Sequence, residues 1–211
     1  MYRLRITFTK SGVARFIGNL DLHRLWERTL RRAGASLVYT QGFHPTPKIQ
    51  LASALPLGIT SEAEVVDIWL REEVEPDEFN VSVSGALPPG IEVLNARGVS
   101  LKEKSLQSRL RAAEYIVEFT GEIRADVLES RVEDILGRAS IISKRREKDY
   151  DLRPLIEKLE VCRDSECGLI LRMRLAARPG ATGRPEAVLA AMGINGERLH
   201  RTALFFVDNA D

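Results

Sequence analysis

The sequence predicts an α+β protein made of two successive β-α-β-β-α-β units, because strand-like and helix-like segments follow one another in that order twice. Three observations carry this. "YRLRITFTK" near the start alternates apolar and polar residues, "NLDLHRLWERTLRRAG" has helical periodicity, and the same succession of signals resumes after a polar stretch in the middle of the chain.

In the first half, Leu4, Ile6 and Phe8 alternate with Arg3, Arg5 and Thr7, the period of a half-buried strand. Leu22, Leu25, Trp26, Thr29, Leu30 and Ala33 then recur at helical spacing, with Asn19 or Asp21 as the expected cap and Gly34 as the stop. "SLVYT", residues 36–40, reads as a strand leading into "YTQGFHPTPKIQLASALPLG", residues 39–58. That stretch reads as an ordered loop: Pro45 and Pro47 remove amide donors and push His44 and Thr46 toward extended geometry, which excludes a helix or a central strand. "AEVVDIWL", residues 63–70, is the next strand. A helix opens at Glu75-Pro76-Asp77 and runs to about Ala86, weakened by Asn80, Val81, Ser82 and Val83. Pro88-Pro89-Gly90 ends it, and "IEVLNARG" is a strand.

Residues 99–112 are polar and charged and read as a linker. Beyond them "EYIVEFTG" is a strand, "RADVLESRVEDILGR" a helix with Val127, Leu128, Val132, Ile135 and Leu136 on one face, and "ASIISKRREK" a strand. Asp151 is placed to cap a short helix, "LEVCRDSECGLILRMRLAA" reads as strand, turn and strand, Pro185 opens the helix "PEAVLAAMG", and "RTALFFVD" closes as a strand. The expectation is tandem ferredoxin-like domains with antiparallel sheets, over residues 1–98 and 113–211. The repetition lies in element order, not in residue identity, and such a fold hosts many functions.

Composition narrows the classes. Of 211 residues, 44% are apolar and 29% charged, as in globular proteins. No apolar run approaches the roughly 18 residues that span a bilayer, and the first residues alternate like a strand instead of forming a signal peptide, so the expected location is cytoplasmic. Cys162 and Cys167 are the only cysteines; without a second ligand pair they read as thiols flanking a turn, and no cysteine triplet exists for an iron–sulfur cluster. No phosphate-cradling glycine fingerprint or metal-protease helix is present either, so no metal or cofactor is expected.

Charge is unevenly placed. Residues 1–50 hold nine Lys/Arg against two Asp/Glu, and residues 51–100 hold two against nine, under an overall net charge of +1. Two readings are open: the basic and acidic segments are neighbours and cancel, or the first quarter presents a basic surface to a polyanion. Arg24, Arg28 and Arg31 stand with His23 and Glu27 opposite the apolar stripe of the first predicted helix, with Arg32 at its margin, and four arginines to one glutamate is too lopsided for salt-bridge lacing. Arginine forks match phosphate, and Arg15 and the Pro-rich loop with Gln41, His44, Thr46 and Lys48 lie close in sequence. If the chain is an enzyme, His44 is the candidate acid or base, His23 the candidate second acid–base group, and Lys48 or Arg28 the group that stabilises the phosphorane. The basic run Lys144–Lys148, Arg153, and the glycine-bearing turn Gly180–Gly183 before Pro185 are further candidates for anion contacts.

"ARFIGNLDLHRLWERTLRRAG", "YTQGFHPTPKIQLASALPLGITSEAEVVDIWL", "DYDLRP" and "GRPEAVLAAMG" together resemble the radical SAM-linked family of unknown function, most specifically over residues 14–70. Its members occur free-standing, or fused to or encoded beside cobalamin-binding radical SAM proteins. The resemblance implies a radical SAM protein as partner and a link to RNA modification, with no catalytic residues assigned. The combined expectation is a non-catalytic accessory protein that binds RNA or presents a phosphate-bearing substrate. A metal-independent endoribonuclease or RNA-modifying enzyme using His44, and a protein-binding scaffold, are the alternatives.

Overall fold

The structure, a computed structural model, describes residues 1–121, 123–145, 147–164, 168–194 and 197–207. It is an α+β fold with a largely antiparallel sheet, and the chain divides into two units: residues 1–110 with Val207, and residues 111–206.

In the first unit the elements are β1 (Tyr2–Lys10), α1 (Asn19–Arg32), β2 (Ile49–Leu51), β3 (Thr60–Leu70), α2 (Pro76–Ser84), β4 (Val93–Val99) and the short α3 (Leu106–Arg109), with a 3-10 turn over Gly12–Phe16. The strands are ordered β2-β3-β1-β4, every pair antiparallel. Because strand side chains alternate, Leu4, Ile6 and Phe8 all face one way, and Val66 and Ile68 of β3 pair with Ile6 and Leu4 on that same face. Leu22, Trp26 and Leu30 of α1 and Phe79 and Val83 of α2 close over them as one core. Trp26 is fully buried and meets Phe8 edge-to-face, with ring centroids 5.0 Å apart.

The other face of β1 carries Arg3 and Arg5, and these too are buried. Arg5 is paired in register with Asp67 of β3. Asp67 accepts from Arg3 Nε at 2.9 Å and from Arg5 Nε at 2.8 Å. Glu103 accepts from Arg5 Nη1 at 2.6 Å and is also paired with Arg109, while its backbone oxygen takes Arg3 Nη1 at 2.7 Å. The polar stretch expected to link the halves therefore lies against the back of the first sheet, with Leu106 fully buried.

Burial alone would push the pKa of Glu103 up, but the hydrogen bond and charge of Arg5, with the charges of Arg109 and Arg3, hold its carboxyl below the usual carboxylate range. A carboxylate depressed on folding contributes stability that is complete above its unfolded value, about 4.3, and is lost as pH falls through the folded value. The urea midpoint is thus expected to fall as pH drops from about 6 to about 3, and to fall less steeply in Glu103→Gln. Equal slopes for the two proteins would separate Glu103 from acid stability.

The second unit comprises β5 (Leu110–Glu118), α4 (Ala125–Gly137), β6 (Ile142–Arg145), β7 (Lys148–Asp151), β8 (Ile156–Asp164), β9 (Gly168–Arg178), β10 (Ala181–Thr182), α5 (Pro185–Ala191) and β11 (Arg198–Phe206). Its strands run β8-β9-β5-β11, with β10 against the end of β9 and β6 and β7 as a separate hairpin. Leu128, Val132 and Ile135 of α4 and Val188 and Leu189 of α5 are buried, whereas Val127 and Leu136, expected on the same face of α4, are exposed.

Several local expectations are corrected. Gly18, not Asn19 or Asp21, is the cap residue of α1. "SLVYT" is not a full strand: Leu37 bridges Leu70 and Tyr39 bridges Pro47, because Ile49–Leu51, inside the stretch read as loop, takes the pairing with β3 at Val66–Ile68. The strand expected over residues 139–148 is the first arm of the β6–β7 hairpin. Asp151 accepts from the amides of Ile141, at 2.8 Å, and Arg153, at 3.0 Å, so it ties a 3-10 turn over Arg153–Leu155 to the start of that hairpin. Cys162 on β8 is a free thiol, and Cys167 lies outside the described residues.

Candidate nucleic-acid interface

The helix α1 has 14 residues, and its apolar stripe dictates which side is left to solvent. With Leu22, Trp26, Thr29 and Leu30 buried, Arg24, Arg28, Arg31 and Arg32 are exposed. Arg24, Arg28 and Arg32 follow one another at four-residue spacing, which places them along one side of the helix. They line a cleft of about 440 Å³ with Ile17, Leu25 and, on the facing wall, Ala86–Pro88.

That facing wall is fixed by Gly90. Its φ of +89° is left-handed, and a Cβ there would lie 2.5 Å from the Ser11 carbonyl oxygen and 3.0 Å from Ala14 Cβ. Ser11 also donates its amide to Gly90 O at 2.8 Å, so the Pro88-Pro89-Gly90 turn is held beside the 3-10 turn that precedes α1.

Electrostatics divides the nine cations of residues 1–50 into two sets. Arg3, Arg5 and Lys10 are buried, the first two on Asp67 and Glu103 and Lys10 with Nζ 2.7 Å from Ile17 O. Cancellation by the acidic segment thus reaches the back of the sheet and not α1. Among the described residues Arg24 has only an exposed contact with Asp21 at 3.4 Å, and Arg31 pairs with Glu27 at 2.8 Å beside the Tyr39 ring. Such exposed pairs are worth little, so both guanidinium groups can exchange partners readily. Arg28 and Arg32 have no ion pair among the described residues.

The remaining candidates fall elsewhere. Residues 38–48 form a hairpin, closed by Lys48 N to Val38 O and Thr40 N to Thr46 O, each 2.8 Å, with Thr46 N also donating to the Thr40 hydroxyl at 3.1 Å. Gln41 and His44 sit at its exposed tip around a fully exposed Phe43. Lys48 is folded back with Nζ 4.6 Å from the Trp69 ring centre, whose other cationic neighbour is Arg3 at 5.0 Å. Arg15 lies over the neighbouring Phe16 ring. His23 lines a separate polar cavity of about 240 Å³ with Asn19, Gln50, Ser53 and Gln107. His44 lines neither of these two clefts. Arg153, in the second unit, donates from Nη2 to Leu136 O at 3.0 Å and so satisfies the end of α4.

The structure thus brings together Arg24, Arg28 and Arg32 and leaves Arg15, Gln41, His44 and Lys48 outside that cleft. Arg32 is the residue that helical-wheel reasoning set at the margin; its four-residue spacing from Arg28 is the signal that places it with the others. Among the described residues no three His, Cys, Asp or Glu side chains gather to hold a metal ion, and no helix is long and apolar enough to cross a membrane.

The family described as "Uncharacterized protein conserved in bacteria (DUF2344)" matches residues 3–185. The chain belongs to that family. No curated protein matches it. Among solved structures it is similar to a chain of a Cbf5-Nop10-Gar1 complex, at 14% identity and a TM-score of 0.51, covering 97% of this chain and 50% of the other. A chain of the archaeal box H/ACA sRNP Nop10-Cbf5 complex follows at 12% identity and a TM-score of 0.45, covering 94% of this chain and 46% of the other. The chain spans about half the length of these solved chains. At 14% identity the first likeness speaks for the fold alone.

Proposed function

We propose that this DUF2344 chain is a non-catalytic accessory protein that binds single-stranded RNA, or a similar phosphate-bearing substrate, along the arginine-lined cleft of α1. The observation that carries the reading is the row Arg24, Arg28 and Arg32 on one side of one helix, with two of the three guanidinium groups lacking an ion-pair partner among the described residues. Guanidinium groups bind phosphate oxygens in pairs of parallel hydrogen bonds, and a row of them follows a phosphate backbone. The apolar floor of Ile17, Leu25 and Leu87 gives that backbone a wall of low polarity beside the charges.

Two finer assignments go with it. The strand orders β2-β3-β1-β4 and β8-β9-β5-β11, each with two helices in the β-α-β-β-α-β sequence, support tandem ferredoxin-like domains, the second carrying the β6–β7 hairpin as an insertion. The resemblance over residues 14–70 supports a radical SAM protein as the partner that supplies the chemistry. The endoribonuclease reading draws less support, since His44 is exposed at a hairpin tip, and His23 lines a cavity that His44 does not. Affinity capture of the full chain from native lysate, with sequencing of bound RNA and mass spectrometry of bound protein, is expected to return RNA together with a radical SAM protein. Protein without any nucleic acid would favour the scaffold reading instead.

A further inference from the structure

Two stretches of sequence that α1 leaves unused, the basic run ending at Lys148 and the turn starting at Gly180, meet in the second unit. Antiparallel pairing of β6 with β7 folds the basic run back on itself, so that Arg145 stands in register with Lys148. The glycine turn packs closely against β9 and the 3-10 turn that follows this hairpin. A Cβ on Gly183 would lie 3.1 Å from Leu175 Cβ and 3.2 Å from Leu155 O, tighter than an ordinary contact, so the absent side chain lets the turn rest on Leu155. The hairpin and the turn enclose a cleft of about 610 Å³, within the roughly 300–1,000 Å³ typical of small-molecule sites.

The lining has the parts of a nucleotide site. Arg145 and Lys148 are exposed cations with no ion pair among the described residues, and Asp149 at the same cleft leaves the three side chains with a net charge of +1. Tyr150 presents a half-buried aromatic ring, and Thr182 a hydroxyl. Gly180, at φ +77°, has open space where a side chain would be, so a ligand can approach its backbone closely. We propose that this cleft is a second site, independent of the α1 cleft, that binds a nucleotide: Tyr150 stacks on the base while Arg145 and Lys148 hold the phosphate. Stacking on an aromatic ring suits any base, and the paired cations supply the charge recognition that phosphate needs. A free nucleotide and one nucleotide of a single-stranded RNA offer the same contacts.

The test is nuclear magnetic resonance of the full chain titrated separately with AMP, adenosine, inorganic phosphate and a short single-stranded RNA. AMP or the RNA is expected to move the Gly180 and Thr182 amides and the Tyr150 ring saturably, with adenosine and phosphate each weaker than AMP by roughly tenfold or more. Arg145→Gln with Lys148→Gln, and separately Tyr150→Ala, are each expected to weaken nucleotide binding roughly tenfold while leaving the urea midpoint unchanged. Tighter binding of the RNA than of AMP identifies a strand as the source, and equal or weaker binding a free nucleotide. Resonances that neither AMP nor RNA moves, or a response indifferent to all three substitutions, would overturn the proposal.

Discussion

Replacing Asp67 with alanine is expected to destabilise the first unit by about 3–5 kcal/mol, the usual cost of removing one partner of a buried ion pair. Asp67 is wholly buried between two strands and is the shared acceptor of Arg3 and Arg5. Without it both guanidinium groups stay under the 103–109 segment, with Glu103 as the remaining charged partner of Arg5. Against a whole-domain stability of about 5–15 kcal/mol, such a loss is readable as a large drop in urea midpoint. The pair need not be stabilising in itself, since desolvating three charges consumes much of their attraction. The triple variant Arg3→Met, Arg5→Leu, Asp67→Leu is therefore expected to lose much less than Asp67→Ala alone. Equal losses in the two would mean that the cost comes from volume and not from stranded charge.

The second large effect is on binding. Changing Arg24, Arg28 and Arg32 together to glutamine is expected to weaken a short single-stranded RNA by roughly a hundredfold: about 1 kcal/mol for each exposed contact, with every 1.4 kcal/mol worth a factor of ten. The three are exposed, so the fold is expected to be untouched. A charge-matched control is Arg124→Gln, Arg138→Gln, Lys158→Gln, which removes cations already paired with Asp126, Asp134 and Glu160. That control is expected to change affinity by less than about threefold, because none of these three cations lines the α1 cleft.

What the sequence made legible was periodicity. The alternation of Leu4, Ile6 and Phe8 and the helical stripe through Trp26 placed the first core, since both patterns record which face meets apolar neighbours. Non-local pairing was hidden. Arg3 and Arg5 read as the polar face of a strand, and only the register of β1 with β3 and the return of residues 103–109 show that this face is buried. The same contacts explain why the polar 99–112 stretch looked like a linker: Glu103 and Arg109 are charged because they face charged partners. At the site, helical spacing alone collects Arg24 and Arg28, whereas nearness in sequence suggests Lys48 as a neighbour and the structure turns it onto Trp69. Only the first arm of the β6–β7 hairpin reads as a strand; the second, Lys148–Asp151, is polar and carries no apolar period to mark where the chain reverses and pairs.

The salt dependence of RNA binding reports how many phosphates the α1 arginines hold. A protein that neutralises phosphates releases counterions, so log affinity falls linearly with log salt, by about 0.7 for each phosphate contacted on a single strand. Measured between about 50 and 200 mM salt, the slope for the Arg24, Arg28, Arg32 variant is expected to be shallower than that of the unaltered chain by about 2, three contacts at that increment. The charge-matched control is expected to keep the original slope. An affinity for RNA that does not depend on salt, or a slope that the three α1 substitutions leave unchanged, would rule out the α1 cleft as the phosphate-binding surface.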